Sequence, residues 1–192
     1  MLELPDIDKY CSKSFQFRDF FECSDTYKIF LPSNIPISID TYSAITNLAN
    51  EILERVIQEF GDITLTYGFC GPALQRLIKQ KIDSKIDQHA GHELDLKGNL
   101  ICKRKGFAVD FIVKNKCSLD VSRWIVNNCR YDRLYFYGSN RPVHISYSDS
   151  PIEQIVLMKF RNSHVSLAST RQCYISFSYI TLCKTCDPWG GA

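Results

Sequence analysis

Side chains that could bind a metal are concentrated in one part of this sequence. The stretch DQHAGHELDLKGNLICKRKGFAVDF, residues 87–111, carries His89, His92 and Asp110, and His144 follows in the run RPVHISY. Histidine and carboxylate from three segments supply the ligand set of a catalytic zinc site, which leaves a fourth position for water. Such clusters can also be proton relays or solvent-exposed side chains with no chemical role. The residue types therefore predict a metal site but leave those alternatives open.

Two of these residues lie on predicted strands, each opposite an apolar face. Side chains alternate along a strand, so Asp110 in FAVDFIV points away from Phe107, Val109, Phe111 and Val113. His144 in RPVHISY likewise points away from Val143, Ile145 and Tyr147. An ionised aspartate is costly to bury unless it is paired. A lone histidine on a strand is more often structural than a ligand, so neither strand alone settles the role.

The elements that must position these residues are helices and strands in irregular alternation. This order predicts an α+β fold with a small antiparallel sheet flanked by helices. Apolar residues at helical spacing predict a helix over about 40–60, with Asp40 as its N-cap and Gly61 as its end. In DITLTYG the residues Ile63, Leu65 and Tyr67 alternate with polar ones, which predicts a half-buried strand. The later predicted elements are a helix from Pro72, a strand at 107–113, a helix from Ser118, a hairpin at 132–147 and strands at 154–160 and 173–182.

The chain is divided here into three parts. Residues 1–37 are aromatic and irregular, and we expect an arm packed on the core. We expect residues 38–160 to form the main domain and residues 161–192 to form a C-terminal strand and tail. A chain of 192 residues with 45% apolar side chains is long enough to bury an ordinary core.

Composition limits the compartment and the partners. The sequence lacks the roughly 18 consecutive apolar residues of a membrane helix and shows no signal peptide, so we expect a cytoplasmic protein. The nine cysteines would then be reduced thiols. A net charge of +2 indicates no particular partner or oligomeric state. The basic residues Lys97 and 103–105 could contact nucleic acid, although such a loop is more often a solvated surface.

The order of the site residues resembles the D-alanyl-D-alanine carboxypeptidase and dipeptidase family, zinc peptidases related to the hedgehog signalling domain. Three elements carry the resemblance: TYGFCGP, GFAVDF and YDRLYFYGSNRPVHISY. The matching positions are Gly68, Phe69 and Pro72, then Gly106, Ala108 and Asp110, and finally Asp132, His144, Ile145 and Ser146. The resemblance covers roughly residues 41–147. It implies a fold like that of the carboxypeptidase and hedgehog domains.

The resemblance also implies a ligand set for zinc. An ungapped match would place the first metal histidine at Lys103, which cannot serve as an ordinary zinc ligand. If ELDLKGNLICKR is an inserted hairpin, His89 becomes the first ligand, and Asp110 and His144 are the others. His92 is the rival of His89 for that position.

Two positions depart from the family's catalytic pattern. The family's substrate-binding arginine corresponds to Cys70, and its catalytic glutamate corresponds by register to Tyr137. A tyrosine with a pKa near about 10 is a poor base at neutral pH. Glu93 could supply a substitute carboxylate for proton transfer, and Arg104 or Arg141 a substitute cation for binding the substrate.

Three functional hypotheses follow from these residues. The first is a zinc-dependent hydrolase that activates water for attack on an amide-type bond, in a D,D- or L,D-peptide or another small substrate. The second is a catalytically diverged metal-binding domain that recognises a partner such as nucleic acid or a nucleotide. The third is a scaffold without metal, in which the same side chains form a buried hydrogen-bond network.

Overall fold

A six-stranded sheet in the order β1-β2-β4-β3-β5-β6 forms the centre of the fold. The computed structural model describes residues 3–78, 87–160 and 177–182. The strands are Ile63–Tyr67 (β1), Phe107–Val113 (β2), Arg133–Phe136 (β3), Val143–Tyr147 (β4), Gln154–Phe160 (β5) and Phe177–Leu182 (β6). The predicted α+β class is confirmed. Of the five strand pairs described, four are antiparallel as predicted. The prediction of an antiparallel sheet was wrong for the pair β3 and β5, which is parallel. β5 pairs with β3 on the side away from β4 and runs in the same direction as β3.

Helices flank this sheet. They are Phe17–Glu22 (α1), Asp25–Phe30 (α2), Ile39–Leu48 (α3), Glu54–Phe60 (α4), Pro72–Leu77 (α5) and Ser118–Asn128 (α6). A π-helical segment, Ala49–Leu53, joins α3 to α4, so the predicted long helix is continuous. It ends at Gly61, whose φ of 90° favours glycine. Its N-cap is Ser38 and not the predicted Asp40.

The hydrophobic core lies between one face of the sheet and the long helix. The alternating residues Phe107, Val109 and Phe111 of β2 are fully buried, as are Ile45 and Ile52 of the helix. Burying an apolar side chain of this size stabilises a fold by roughly 1.5–3 kcal/mol. Because these residues occupy the core face, the polar residues between them on β2 and β4 point to the opposite face.

The N-terminal segment contributes large aromatic side chains to the same core. Phe17 packs edge-on against Tyr42 with ring centroids 4.9 Å apart, and Phe20 packs against Phe107 at 6.0 Å. All four rings are buried. The segment was expected to be irregular, and this is wrong only where it forms the two short helices α1 and α2.

Parts of the predicted organisation fall outside the described residues. They include residues 79–82 of the helix predicted from Pro72, residues 83–86 of the loop predicted after it, residues 161–176, which include the first residues of the strand predicted at 173–182, and the tail at 183–192. In the parts of the chain that the structure does describe, no helix combines the length and the apolar character needed to cross a bilayer.

Candidate metal centre

Four side chains form a row across the face of the sheet opposite the core. Asp110 on β2 is paired directly with Tyr67 on β1 and with His144 on β4, and His144 is paired with Tyr135 on β3. Residues directly opposite each other on neighbouring strands project to the same side of a sheet. These four residues are called the sheet row below. The face predicted for Asp110 and His144 from strand alternation is the face that they occupy.

A β-bulge brings Tyr67 into this row. Leu65 is paired with Phe111 on the core face, and the register then shifts so that Tyr67 is paired with Asp110. A bulge adds one residue to a strand and so redirects the side chains that follow it. The period-two pattern grouped Tyr67 with Leu65, and that grouping was wrong. The ring of Tyr67 instead packs edge-on against His89, with centroids 4.4 Å apart.

His89 reaches the sheet row from a short 3-10 turn, Gln88–Ala90. The side chain of Asp87 accepts a hydrogen bond from the backbone N–H of His89 at 3.0 Å and fixes the start of the turn. The Nδ1 atom of His89 lies 2.9 Å from the carbonyl oxygen of Gly68. Since a carbonyl oxygen only accepts, Nδ1 carries the hydrogen. The other ring nitrogen, Nε2, is thereby directed towards the sheet row.

The close approach at Gly68 explains why a glycine lies there. A Cβ atom at this position would come within 2.2 Å of the backbone oxygen of Phe20. The backbone N–H of Phe69 donates to that same oxygen at 2.7 Å. Any larger residue would displace this segment and with it the carbonyl that orients His89.

Three atoms converge where the turn meets the sheet. Asp110 Oδ1 lies 2.7 Å from His144 Nδ1 and 3.6 Å from His89 Nε2, and the two nitrogens are 3.3 Å apart. Tetrahedral zinc with bonds of about 2.0–2.1 Å separates its ligands by about 3.3 Å. The three separations lie around that value. His89, Asp110 and His144, called the ligand group below, could therefore hold a metal ion.

The charges of the ligand group favour a cation between its members. Burial alone would raise the pKa of Asp110, but the charges and hydrogen bonds of His144 and His89 outweigh it and hold that pKa well below its usual range. Burial alone would lower the pKa of His89, but Asp110 and Asp87 outweigh it and raise that pKa. With Nδ1–H bound to the backbone, a neutral His89 directs a lone pair at a carboxylate. A proton on Nε2, a metal ion between the two groups, or the Nδ1–H of His144 at 3.3 Å would relieve that repulsion.

Aromatic side chains surround the ligand group. The ring of Tyr135 is stacked on His144, with centroids 4.6 Å apart and an interplanar angle of 21°. Burial, followed by the charge of Asp110, raises the pKa of Tyr137 far above its ordinary value. Burial also raises the pKa of Tyr67. Both phenols keep their hydrogens at neutral pH, so they can donate hydrogen bonds but cannot act as bases.

Cys70 lies beside the ligand group as a neutral thiol. Its backbone N–H donates to the backbone oxygen of His89 at 3.0 Å. Burial raises the pKa of Cys70 to about 11, although a hydrogen bond with Tyr67 opposes that rise. An uncharged thiol cannot replace the arginine that the family resemblance expects here.

The rival histidine, His92, makes a different set of contacts. The backbone N–H of Gly106 donates to its Nε2 at 3.0 Å, and burial lowers the pKa of its imidazole. Its Nε2 is therefore occupied as an acceptor. Gly106 is itself fixed by its surroundings, since its φ is 124° and an added Cβ would lie 1.9 Å from a backbone oxygen. His89, and not His92, belongs to the ligand group.

Glu93 does not face the ligand group. One carboxylate oxygen accepts from the backbone N–H of Ile37 at 3.1 Å, and the other accepts from the backbone N–H of Ser38 at 3.1 Å and from Thr41 Oγ1 at 2.9 Å. The hydroxyl of Ser38 makes no cap bond of its own. Glu93 therefore caps α3 from a distance, which argues against the proton-transfer role expected for it.

Of the two arginines expected to bind substrate, Arg104 is engaged by groups outside the ligand group. It makes a bidentate ion pair with the fully buried carboxylate of Asp132 and donates to the backbone oxygen of Ser150 at 2.8 Å. Arg141 lies in the turn between β3 and β4, where its backbone N–H donates to the backbone oxygen of Gly138 at 3.1 Å.

Several residues near the ligand group were not expected there. Asp87 fixes the turn, while Tyr67 and Tyr135 contact the two histidines. The place of Tyr135 was predictable, because it lies two residues before Tyr137 and is opposite His144 in any hairpin of this register. The place of Tyr67 was not predictable, because a bulge is not visible in a period-two pattern.

Comparison with protein-family models, with curated proteins and with solved structures found no match. The function is therefore inferred from the contacts within this chain.

Proposed function

We propose that this protein is a metal-dependent hydrolase that holds zinc with His89, Asp110 and His144. The observation that carries the proposal is the convergence of three ligand atoms at separations of 2.7, 3.3 and 3.6 Å. Two imidazoles and one carboxylate suit zinc and leave a position for a further ligand. A zinc ion held there would act as a Lewis acid that polarises a carbonyl oxygen and activates water for attack.

The residues around the ligand group would orient and stabilise a substrate. Gly68 fixes the tautomer and the direction of His89, as backbone acceptors commonly do for metal-binding histidines. Stacking on Tyr135 restricts the ring of His144. We propose that Tyr137, which remains protonated, donates a hydrogen bond to the oxygen on which negative charge develops during attack on an amide-type bond.

A fold of the D-alanyl-D-alanine carboxypeptidase and hedgehog type remains part of the proposal. It is supported by the order of the ligands along the chain, from a turn, then β2, then β4. The thiol of Cys70 at the position of the family's arginine favours a substrate other than a peptide with a free carboxylate at that point. The six cysteines found as free thiols in the described parts of the chain agree with the proposed cytoplasmic location.

The test is hydrolysis by zinc-loaded protein of a panel of D,D- and L,D-linked small peptides, with and without free carboxylates. Wild-type protein should cleave at least one of them. His144→Ala should lose both metal and turnover. Tyr137→Phe should keep the metal and lose about 100- to 1,000-fold in kcat, as is typical when one donor to an oxyanion is removed. Zinc-loaded protein that cleaves none of the panel would contradict the hydrolase proposal.

A diverged metal-binding domain that recognises nucleic acid is the second candidate. It is favoured by one observation: Glu93 and Arg104, the substitutes expected for the missing catalytic residues, are both engaged in structural contacts. Lys103 and Lys105 are exposed beside them. This candidate predicts no peptide hydrolysis and retention on nucleic acid that weakens steeply with salt. Retention should fall further in a Lys103→Glu, Lys105→Glu double variant.

A further inference from the structure

We infer that Asp132 is a positioning residue that fixes both histidine-bearing segments of the metal site in their mutual geometry. The inference deepens the proposed function and rests on it. Asp132 lies just before β3, outside the ligand group, and its side chain is fully buried. It contacts the turn that carries His89 and the strand that carries His144.

The carboxylate of Asp132 accepts four hydrogen bonds. Its Oδ2 atom accepts from Gln88 Nε2 at 2.9 Å and from Arg104 Nε at 2.6 Å. Its Oδ1 atom accepts from the backbone N–H of Ile152 at 3.1 Å and from a terminal nitrogen of Arg104. These donors come from three separate segments, so the carboxylate joins them at one buried point.

The contact with Gln88 is the link to the first ligand. Gln88 is 2% exposed and directly precedes His89 in the same 3-10 turn. Its side chain is directed to Asp132, while the ring of His89 is directed to the sheet row. A turn of three residues has little freedom to move one side chain without the next. Asp132 therefore restricts the position of the His89 ring.

Backbone contacts of Asp132 and of its neighbour Arg133 reach β4, the strand that carries His144. The N–H of Asp132 donates to the backbone oxygen of Ser146 at 2.8 Å, and the N–H of Arg133 donates to Ser146 Oγ at 3.1 Å. Ser146 lies two residues after His144 on β4. One residue thus ties the turn of the first histidine to the strand of the second.

A purely stabilising role explains this arrangement less well. Removing a carboxylate and a guanidinium from water is costly, and apolar side chains of similar volume often stabilise a core at least as well as a buried ion pair. An ion pair does, however, fix geometry, because the guanidinium and the carboxylate are planar and bond in pairs. Outer contacts of this kind commonly change metal affinity by about 10- to 100-fold.

The experiment compares Gln88→Met with Ser12→Ala. Gln88→Met preserves side-chain length, removes the donor to Asp132 and leaves the ion pair with Arg104. Ser12→Ala is the control, since it removes one side-chain donor to a different carboxylate, Glu54, outside the turn that carries His89. Zinc alone is titrated against a competing chelator, and the melting temperature of the metal-free protein is measured in parallel.

We expect zinc affinity to fall by about 10- to 100-fold in Gln88→Met and to be unchanged in Ser12→Ala. The cobalt-loaded Gln88→Met protein should also show an altered visible spectrum, because one ligand is displaced. Unchanged affinity and spectrum in Gln88→Met, while wild type binds zinc, would overturn the positioning role and leave the metal site intact.

A second readout separates this inference from the proposed function. The imidazole resonances of metal-free protein should shift for His89 in Gln88→Met, with His92 as the internal reference. If wild type binds no zinc, the proposed function fails. In that case a shifted His89 resonance would still uphold the positioning role, and an unshifted resonance would overturn it. If Gln88→Met does not fold, Gln88→Asn is measured in the same way, because its shorter amide cannot span the distance to Asp132.

Discussion

The turn at residues 87–93 has two sides that differ in every contact although each carries a histidine. On one side His89 is 1% exposed, its Nδ1–H is held by Gly68, and its Nε2 faces the ligand group. On the other side His92 accepts from the backbone of Gly106 through Nε2, and Glu93 caps α3. The comparison teaches that two histidines three residues apart differ in which partners their ring nitrogens contact, and that residue type and spacing do not reveal this difference.

The two sides also depend on each other. Glu93 attaches the end of the turn to the long helix, and Gln88 attaches its start to Asp132. Held at both ends by buried carboxylates, the turn presents His89 to the sheet row. These two contacts therefore restrict the turn on which His89 lies.

The largest expected effect is the difference between the two histidines. His89→Ala should weaken zinc binding by more than about 100-fold, since loss of a ligand exceeds the loss of an outer contact. His92→Ala should keep wild-type zinc affinity, because its Nε2 serves only a backbone N–H. Zinc titration of both variants against a chelator measures the difference. Equal losses would erase the distinction between the two sides of the turn.

The next effect is a loss of stability at Glu93. Glu93→Ala should lower the free energy of unfolding by about 2–4 kcal/mol, because two backbone N–H groups and the hydroxyl of Thr41 lose their acceptor. Glu93→Gln keeps one acceptor oxygen and should lose less. Urea unfolding of the metal-free proteins measures both. A Glu93→Gln protein of wild-type stability that binds zinc but has lost all hydrolysis would instead return Glu93 to a proton-transfer role.

The smallest expected effect concerns Glu54, a more exposed carboxylate that also accepts hydrogen bonds from a distant segment of the chain. Glu54 accepts hydrogen bonds from Ser12 and Ser14. Burial alone would raise the pKa of Glu54, but these hydrogen bonds outweigh burial, so its pKa is lowered. A lowered folded-state pKa contributes stability above the unfolded-state pKa, and the contribution is lost as pH falls through the folded-state pKa. Glu54→Gln should therefore cost under about 1 kcal/mol at neutral pH and nothing in acid. Unfolding curves that differ from wild type by the same amount at neutral and acidic pH would contradict this assignment.

Much of the site geometry could be predicted from local patterns. Strand alternation alone placed Asp110 and His144 opposite the apolar face, because side-chain direction on a regular strand depends only on sequence position. The helix over 39–60 was predictable for the same kind of reason, since its apolar residues recur at helical spacing.

The parts that could not be predicted depend on contacts between distant residues. Nothing in the sequence shows that Glu93 reaches the N-terminus of α3, or that Arg104 pairs with Asp132. Both were candidates for chemistry because they lie beside the histidines along the chain. The choice between His89 and His92 was likewise decided by backbone groups, whose positions follow only from the fold.

The most direct test of the central claim is the metal content of wild-type protein and of Asp110→Ala after exposure to zinc and removal of the unbound metal. We expect one zinc per chain in wild type and none above background in the variant, with both proteins folded. Wild type that retains no zinc, or a variant that retains as much as wild type, would contradict the assignment of His89, Asp110 and His144 as a metal site.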